Sequence, residues 1–178
     1  MELYLIRHTS VAVAKGTCYG STDVALNDTF ETEAEEVKAR LEGLRFDASF
    51  TSPLSRAVRL AAYCGYADAE RDDRLRELDF GEWEMKSFDY LYANDARFRE
   101  WCEGDYVNLP SPGGESLAQQ MERFRQFVEE KKKQGYQRIA AFCHGGILAC
   151  GLIMAGQATR ENALAAVPPY GSVVNLTF

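Results

Sequence analysis

Three short apolar runs set the frame: Leu3 to Ile6, Ala48 to Thr51 and Ile139 to Cys143. Each stops abruptly at polar or turn-forming residues, at Arg7-His8, Ser52-Pro53 and His144-Gly145-Gly146 respectively. Runs this short, bounded this sharply, read as buried strands. Between the first two, Phe30, Ala34, Val37, Leu41 and Leu44 recur at helical spacing, with Gly43 near the end of the stretch. Between the last two, Leu117, Met121, Phe124 and Val128 repeat that pattern behind Ser116, a suitable helix cap. Val173 to Phe178 supplies a final strand. Strands alternating with helices predict an α/β three-layer sandwich, with a mostly parallel sheet and helices on both faces. Ligands in such folds bind beyond the carboxyl ends of the strands, so catalytic candidates are expected at the strand exits.

A chain of 178 residues with 46% apolar composition suits one domain spanning 1–178. Its one irregular stretch, Lys86 to Ser116, is rich in aromatics and reads as an insertion above the sheet. Six aromatics there, Phe88, Tyr90, Tyr92, Phe98, Trp101 and Tyr106, are expected mainly in core packing, with one or two forming a substrate wall. The run Glu129 to Lys133 reads as the solvated end of a helix. A net charge of −7 argues against nucleic acid as a partner, so an anionic substrate needs a local cluster of positive charge. Only four consecutive apolar residues, Leu3 to Ile6, stand between Glu2 and Arg7, too few for a signal peptide or a membrane span, so a cytoplasmic location is expected. Five cysteines without a C-x-x-C pair speak against a disulfide framework, and most are expected as buried thiols.

Familiar chemistries fall away by inspection. Six positions beyond the five cysteines stand Val24, Glu70, Asn108, Ala149 and Gly156, so the Arg of a cysteine-dependent phosphatase is missing. No phosphate-binding P-loop, dinucleotide turn, nucleophile elbow or H-E-x-x-H helix is present. With two histidines in the chain, no His-rich metal site can be built, and neither metal nor cofactor is expected. A lone histidine at a strand end is ordinarily a hydrogen-bonded core or loop residue. Here both histidines, His8 and His144, stand at the ligand-binding edge, one beside Arg7 and the other before paired glycines. That placement favours a functional reading.

Leu5-Ile6-Arg7-His8-Thr9 resembles the signature of the histidine phosphatase superfamily, in its phosphoglycerate mutase-like branch. Four more segments match in order: Thr51 to Ala57 around Arg56, Arg76 to Glu84 around Glu77, Pro112 to Ser116 opening a helix, and Cys143 to Gly146 around His144. The resemblance implies a phosphomonoesterase with His8 as nucleophile, Glu77 as acid, and Arg7, Arg56 and His144 holding phosphate. The residues alone do not choose between the two histidines. Such chemistry requires fixed donors around the equatorial oxygens and an in-line nucleophile. Arg7, Arg56 and a protonated His144 are expected to supply the positive charge, and Thr9, Ser10 and Ser116 serve either as hydroxyl donors or as local caps. One carboxyl group can protonate the leaving alkoxide and then activate water. Asp79 and Glu82 stand near Glu77 as fallback acids. The family pattern commonly carries Gly after the Trp-Glu pair, where this chain has Met85.

Within the superfamily, Arg7 to Thr9, Lys15 to Val24 and Glu77 to Glu84 are most similar to α-ribazole phosphatases, which act late in cobalamin assembly. The expected substrate is therefore a small-molecule phosphomonoester, α-ribazole 5′-phosphate. The alternatives are a broad sugar-phosphate or nucleotide phosphatase, a phosphoglycerate mutase, and, remotely, a non-catalytic phospho-ligand binding module. A hydrolase is expected over a mutase because the last strand leaves no tail to cover a phosphohistidine, and because the aromatic-rich segment suits a flat organic leaving group. The sequence carries no expectation of oligomeric state.

Overall fold

The computed structural model describes residues 1–160, 162–163 and 165–178. In chain order the elements are β1 (Glu2–Arg7), α1 (Phe30–Leu41), β2 (Ala48–Thr51), α2 (Ser55–Tyr63), β3 (Glu70–Arg71), α3 (Phe88–Asn94), α4 (Ala96–Glu103), α5 (Leu117–Lys133), β4 (Arg138–Cys143), α6 (Gly145–Met154) and β5 (Val173–Thr177). The sheet runs β3-β2-β4-β1-β5, with only β5 antiparallel to its neighbour. Central parallel strands must be covered on both faces, and their residues divide accordingly. Leu3, Leu5, Ile139, Ala141 and Cys143 face one layer with Phe124, Phe127, Leu148 and Leu152 of α5 and α6. Ile6, Ala140 and Phe142 face the other with Ala34, Val37, Leu60 and Ala61 of α1 and α2. Each fully buried Leu, Ile or Phe in these layers contributes about 1.5–3 kcal/mol.

Strand register decides what emerges at the carboxyl edge. Arg7 on β1 lies beside Cys143 on β4, and the His8 N–H donates to the Cys143 carbonyl at 3.1 Å. The residues following both strands, His8 and His144, therefore leave the sheet side by side. On the other side of β4, Thr51 pairs with Phe142 and the Ser52 N–H donates to the Phe142 carbonyl at 2.9 Å. Ser52 thereby joins the same edge.

Several local expectations change. Helix α6 is apolar all round and buried, while β3 is a two-residue edge strand, and neither was anticipated. Helix α2 begins two residues after Pro53, with Leu54 as its N-cap. Ser116 caps α5 in a reciprocal capping box with Gln119. The α5 end is not wholly solvated: Lys131 is buried, its Nζ 4.5 Å from the centre of the Phe50 ring and 3.0 Å from Glu130. The aromatic-rich stretch forms α3 and α4, joined to the body through Cys18, Trp83, Leu91 and Phe98, with Phe80 and Trp101 packed against them. Its expected core role holds for Phe98 but fails for Phe88, Tyr90 and Tyr92, which are exposed because the short helix α3 buries only Leu91. All five cysteines are free, and Cys102 alone among them is exposed. Among the described residues, no helix is long and apolar enough to cross a membrane.

Candidate active site

His8 is almost fully buried at the end of β1. Its Nδ1 lies 2.7 Å from the Thr9 carbonyl, an acceptor only, so Nδ1 carries the hydrogen and Nε2 keeps the lone pair. Burial, then the charge of Arg56, lower its pKa to about 3 despite the Thr9 hydrogen bond. The imidazole is thus neutral at physiological pH, as a nucleophile requires.

The His144 ring lies 5.1 Å from that of His8, centre to centre. Its Nε2 is 2.7 Å from the Ser52 hydroxyl oxygen, which also accepts the Leu54 N–H at 3.3 Å. With the Ser52 hydroxyl donating to Nε2, the ring hydrogen stands on Nδ1, the tautomer in which His144 can donate to an anion. Complete burial, reinforced by Arg56, holds the His144 pKa well below its ordinary value. The expected protonated His144 is therefore corrected: without a bound anion it is neutral, and Ser52 lets the neutral ring still donate. Ser52, which the sequence offered only as the residue that ends the second apolar run, is the residue most clearly missed.

Arg56, in the first turn of α2, is completely buried. Two loop carbonyls fix its guanidinium, Thr22 at 2.9 Å and Gly20 at 2.6 Å. Gly20 has to be glycine, because a Cβ there would fall 1.9 Å from the Leu78 carbonyl oxygen. Glu84 binds the adjoining Ser21 and Thr22 amides at 2.8 and 2.7 Å, tying the loop that holds Arg56 to the segment after Glu77. Arg7 donates to the Pro168 carbonyl, and its guanidinium carbon lies 4.2 Å from the centre of the Tyr170 ring. The Tyr170 hydroxyl is 2.6 Å from that of Tyr19, and the Tyr19 ring centre is 5.5 Å from the Arg56 guanidinium carbon. Tyr19 stood in the Lys15 to Val24 segment without a role of its own, and Tyr170 carried no sequence signal, since it meets the site only through the tertiary fold.

Glu77 approaches from the segment between β3 and α3. Its carboxylate accepts the Leu78 N–H at 2.8 Å, the Gly146 N–H at 3.0 Å and the Gln120 amide at 3.3 Å. Gly146 lies in the first turn of α6. A cavity of about 410 Å³ is lined by Arg7, Glu77, Tyr19, Phe88 and Tyr170, and a neighbouring one of about 440 Å³ shares Arg7, Glu77 and Phe88. Among the described residues, Glu77 is the only carboxylate lining either. The fallback acids are engaged elsewhere: Asp79 accepts the Gly81 N–H at 2.8 Å, and Glu82 pairs with Arg97 at 3.1 Å in an exposed position. Of the proposed hydroxyls, Ser10 is committed to Glu33 and Ser116 to its helix cap.

Four buried side-chain nitrogen or oxygen atoms among the described residues find no hydrogen-bond partner: Arg7 Nε, Thr9 Oγ1, Arg56 Nε and His144 Nδ1. Buried polar groups are almost always paired, so these four, on two strand exits and the first turn of α2, stand out as groups left open to a ligand. Among the described residues, no three His, Cys, Asp or Glu side chains are grouped as metal ligands.

The model of the histidine phosphatase superfamily (branch 1) matches residues 3–178. The chain belongs to this superfamily. The histidine phosphatase superfamily relatives include the adenosylcobalamin/alpha-ribazole phosphatase of Escherichia coli (strain K12), 30% identical over 155 residues that cover 83% of this chain and 75% of the relative. Phosphoserine phosphatase 1 of Hydrogenobacter thermophilus is 28% identical over 143 residues, covering 78% of this chain and 67% of the relative. The crystal structure of phosphoglycerate mutase from Thermus thermophilus superposes with a TM-score of 0.78 at 30% identity, covering 100% of this chain and 99% of that one. As a superfamily member with phosphatase relatives, the chain is a phosphoric monoester hydrolase with the phosphoglycerate mutase-like fold. One departure from the superfamily pattern has a visible consequence. Met85, where Gly is common, has φ +63°, the only non-glycine with positive φ among the described residues. The loop keeps the glycine conformation without the glycine.

Proposed function

We propose that this protein hydrolyses a small organic phosphomonoester through a phosphohistidine on His8, and that the ester is α-ribazole 5′-phosphate. The observation that carries the chemistry is the set of four unpartnered buried atoms on Arg7, Thr9, Arg56 and His144 around a neutral His8. Two guanidinium charges match the two of a phosphate dianion, while Thr9 and neutral His144 add hydrogen bonds. His8 Nε2 attacks phosphorus as the P–O bond to the leaving group breaks, and Glu77 gives its proton to the departing alkoxide. The resulting carboxylate then takes a proton from water, whose oxygen attacks phosphorus. The P–N bond breaks and free His8 returns with inorganic phosphate.

The substrate assignment rests on the wall beyond Glu77. Val11, Val13, Ala14, Tyr19 and Phe88 face the larger group, with Lys15 the one cation besides Arg7 in that lining. Such a wall suits a flat heteroaromatic nucleoside better than a small triose acid bearing its own carboxylate. The likeness to the alpha-ribazole phosphatase of Escherichia coli supports the same reading. Five free cysteines agree with a reducing, cytoplasmic setting. The test is phosphate release from α-ribazole 5′-phosphate beside phosphoserine, nucleotides and sugar phosphates, with interconversion of 2- and 3-phosphoglycerate measured at the same enzyme concentration. The reading expects the highest kcat/KM on α-ribazole 5′-phosphate and hydrolysis faster than interconversion. Equal rates across the panel favour a broad phosphatase, and faster interconversion a mutase.

A further inference from the structure

The backbone carrying Glu77 lies between two short 3-10 turns, Asp73–Leu75 and Gly81–Trp83, and has neither helix nor strand of its own. Its carbonyl groups must find donors elsewhere. One side chain serves three of them. Arg123 of α5 donates from Nη1 to the Arg74 carbonyl at 2.7 Å and the Arg76 carbonyl at 2.8 Å, and from Nη2 to the Glu77 carbonyl at 3.1 Å. Its remaining N–H groups go to Glu115, from Nε at 3.1 Å and from Nη2. Glu115 in turn accepts the Asp79 N–H at 3.2 Å, and its own N–H donates to the Asp79 carbonyl at 2.9 Å. All of the guanidinium donors are used, on residues before, at and after Glu77. One turn earlier on α5, Gln120 reaches the Arg76 carbonyl at 3.4 Å and the Glu77 carboxylate itself at 3.3 Å.

We propose that Arg123 is the positioning residue that sets where the Glu77 carboxyl group stands over the phosphate pocket. This rests on the reading of Glu77 as the proton donor. A helix whose inner face is packed into the core is stiff, so a planar fork anchored on it transmits that stiffness to a segment lacking secondary structure. Lysine cannot replace it, because a single ammonium has fewer donors and no fixed plane to bridge three carbonyls and a carboxylate. The small displacement that follows its loss acts on proton transfer to the leaving group and leaves the Arg7, Arg56 and His8 geometry in place.

The experiment compares β-glycerophosphate, whose alkoxide needs a proton, with p-nitrophenyl phosphate, whose leaving group needs little. Arg123→Met is expected to lose about 10–100-fold more turnover on the first than on the second, since misplacement by about 1 Å can cost that much. Arg123→Lys should fall between, with inhibition by inorganic phosphate unchanged in both. In the Glu77→Gln background, Arg123→Met should add no further discrimination between the substrates, because it acts through the missing group. Equal losses on both substrates from Arg123→Met, with Glu77→Gln selective, overturn the proposal and leave the Glu77 reading standing. Equal losses from Glu77→Gln itself overturn that reading and the proposal with it. Should Arg123→Met fail to fold, Arg123→Lys in the two backgrounds decides by the same comparison.

Discussion

A methyl group added at Gly146 probes the Glu77 site while leaving every reacting residue chemically unchanged. A Cβ there would stand 2.4 Å from Glu77 Oε1 and 2.6 and 2.8 Å from the oxygen and nitrogen of the Gln120 amide. Real Cβ atoms do not approach so closely, and Gln120 is completely buried, so Glu77 must give way and its bond to the Gly146 N–H must lengthen. Overpacking of this kind costs about 1–3 kcal/mol. Alanine in place of glycine in a helix returns up to about 1 kcal/mol. The net destabilisation of Gly146→Ala is therefore about 0–3 kcal/mol, a fall in Tm of no more than about 12 °C for a chain of this size. Activity should suffer far more. General acid catalysis supplies about 10²–10⁴-fold, and displacement of the acid by about 1 Å removes a large part of it. The assay is kcat on β-glycerophosphate and p-nitrophenyl phosphate, beside thermal melting by circular dichroism. The expected result is a loss of about 100-fold on the alkyl ester, a much smaller loss on the aryl ester, and a folded protein. Full activity on the alkyl ester, or equal losses on both substrates in a folded variant, would refute the placement of Glu77 as acid.

Acid sensitivity should track His8, whose pKa is about 3 in the fold against an ordinary 6.5. Because the folded value is the lower one, this stability is present above pH 6.5 and is lost as the pH falls towards 3; the 3.5-unit difference sets a ceiling of about 5 kcal/mol. Urea unfolding at pH 7 and pH 4.5 should show His8→Asn losing less on acidification than the parent, and identical losses would contradict the neutral buried His8. Met85→Gly should raise stability by about 0.5–1 kcal/mol, since left-handed strain of about 1–2 kcal/mol exceeds the entropic cost of glycine, and Met85 is half exposed. An unchanged or lower unfolding midpoint would contradict that conformation. Turnover should survive EDTA, because Arg7 and Arg56 supply the charge a divalent ion would otherwise carry; loss with EDTA and recovery with one metal would count against the site.

The strand exits were legible because a parallel strand buried on both faces must be continuously apolar and must end where polar residues begin. That rule alone placed Arg7, His8 and His144 at one edge. Helix α6 escaped for the converse reason, since a helix buried on every side has no polar face to set a period. Lys131 read as solvated because its burial depends on Phe50, brought to it from β2 by the tertiary fold. Glu77 sits in a stretch crowded with charge, so only the family resemblance singled it out, and only the fold shows Asp79 and Glu82 committed elsewhere. His144 was expected charged because the count of cations considered the phosphate and left out the desolvation of a fully buried ring. Ser52, Tyr19 and Tyr170 act through partners far away in the chain, and such pairings are set by strand register and loop packing.

The central claim is tested most directly by trapping the covalent intermediate. The enzyme is mixed with an excess of p-nitrophenyl phosphate, quenched in alkali within the first turnover and digested at alkaline pH, and the phosphorylated peptide is mapped by mass spectrometry. A phosphoryl group on His8, absent from His8→Ala along with turnover, is the expected result. A phosphoryl group on another residue, or His8→Ala that still turns over at more than a few per cent of the parent rate, would contradict it.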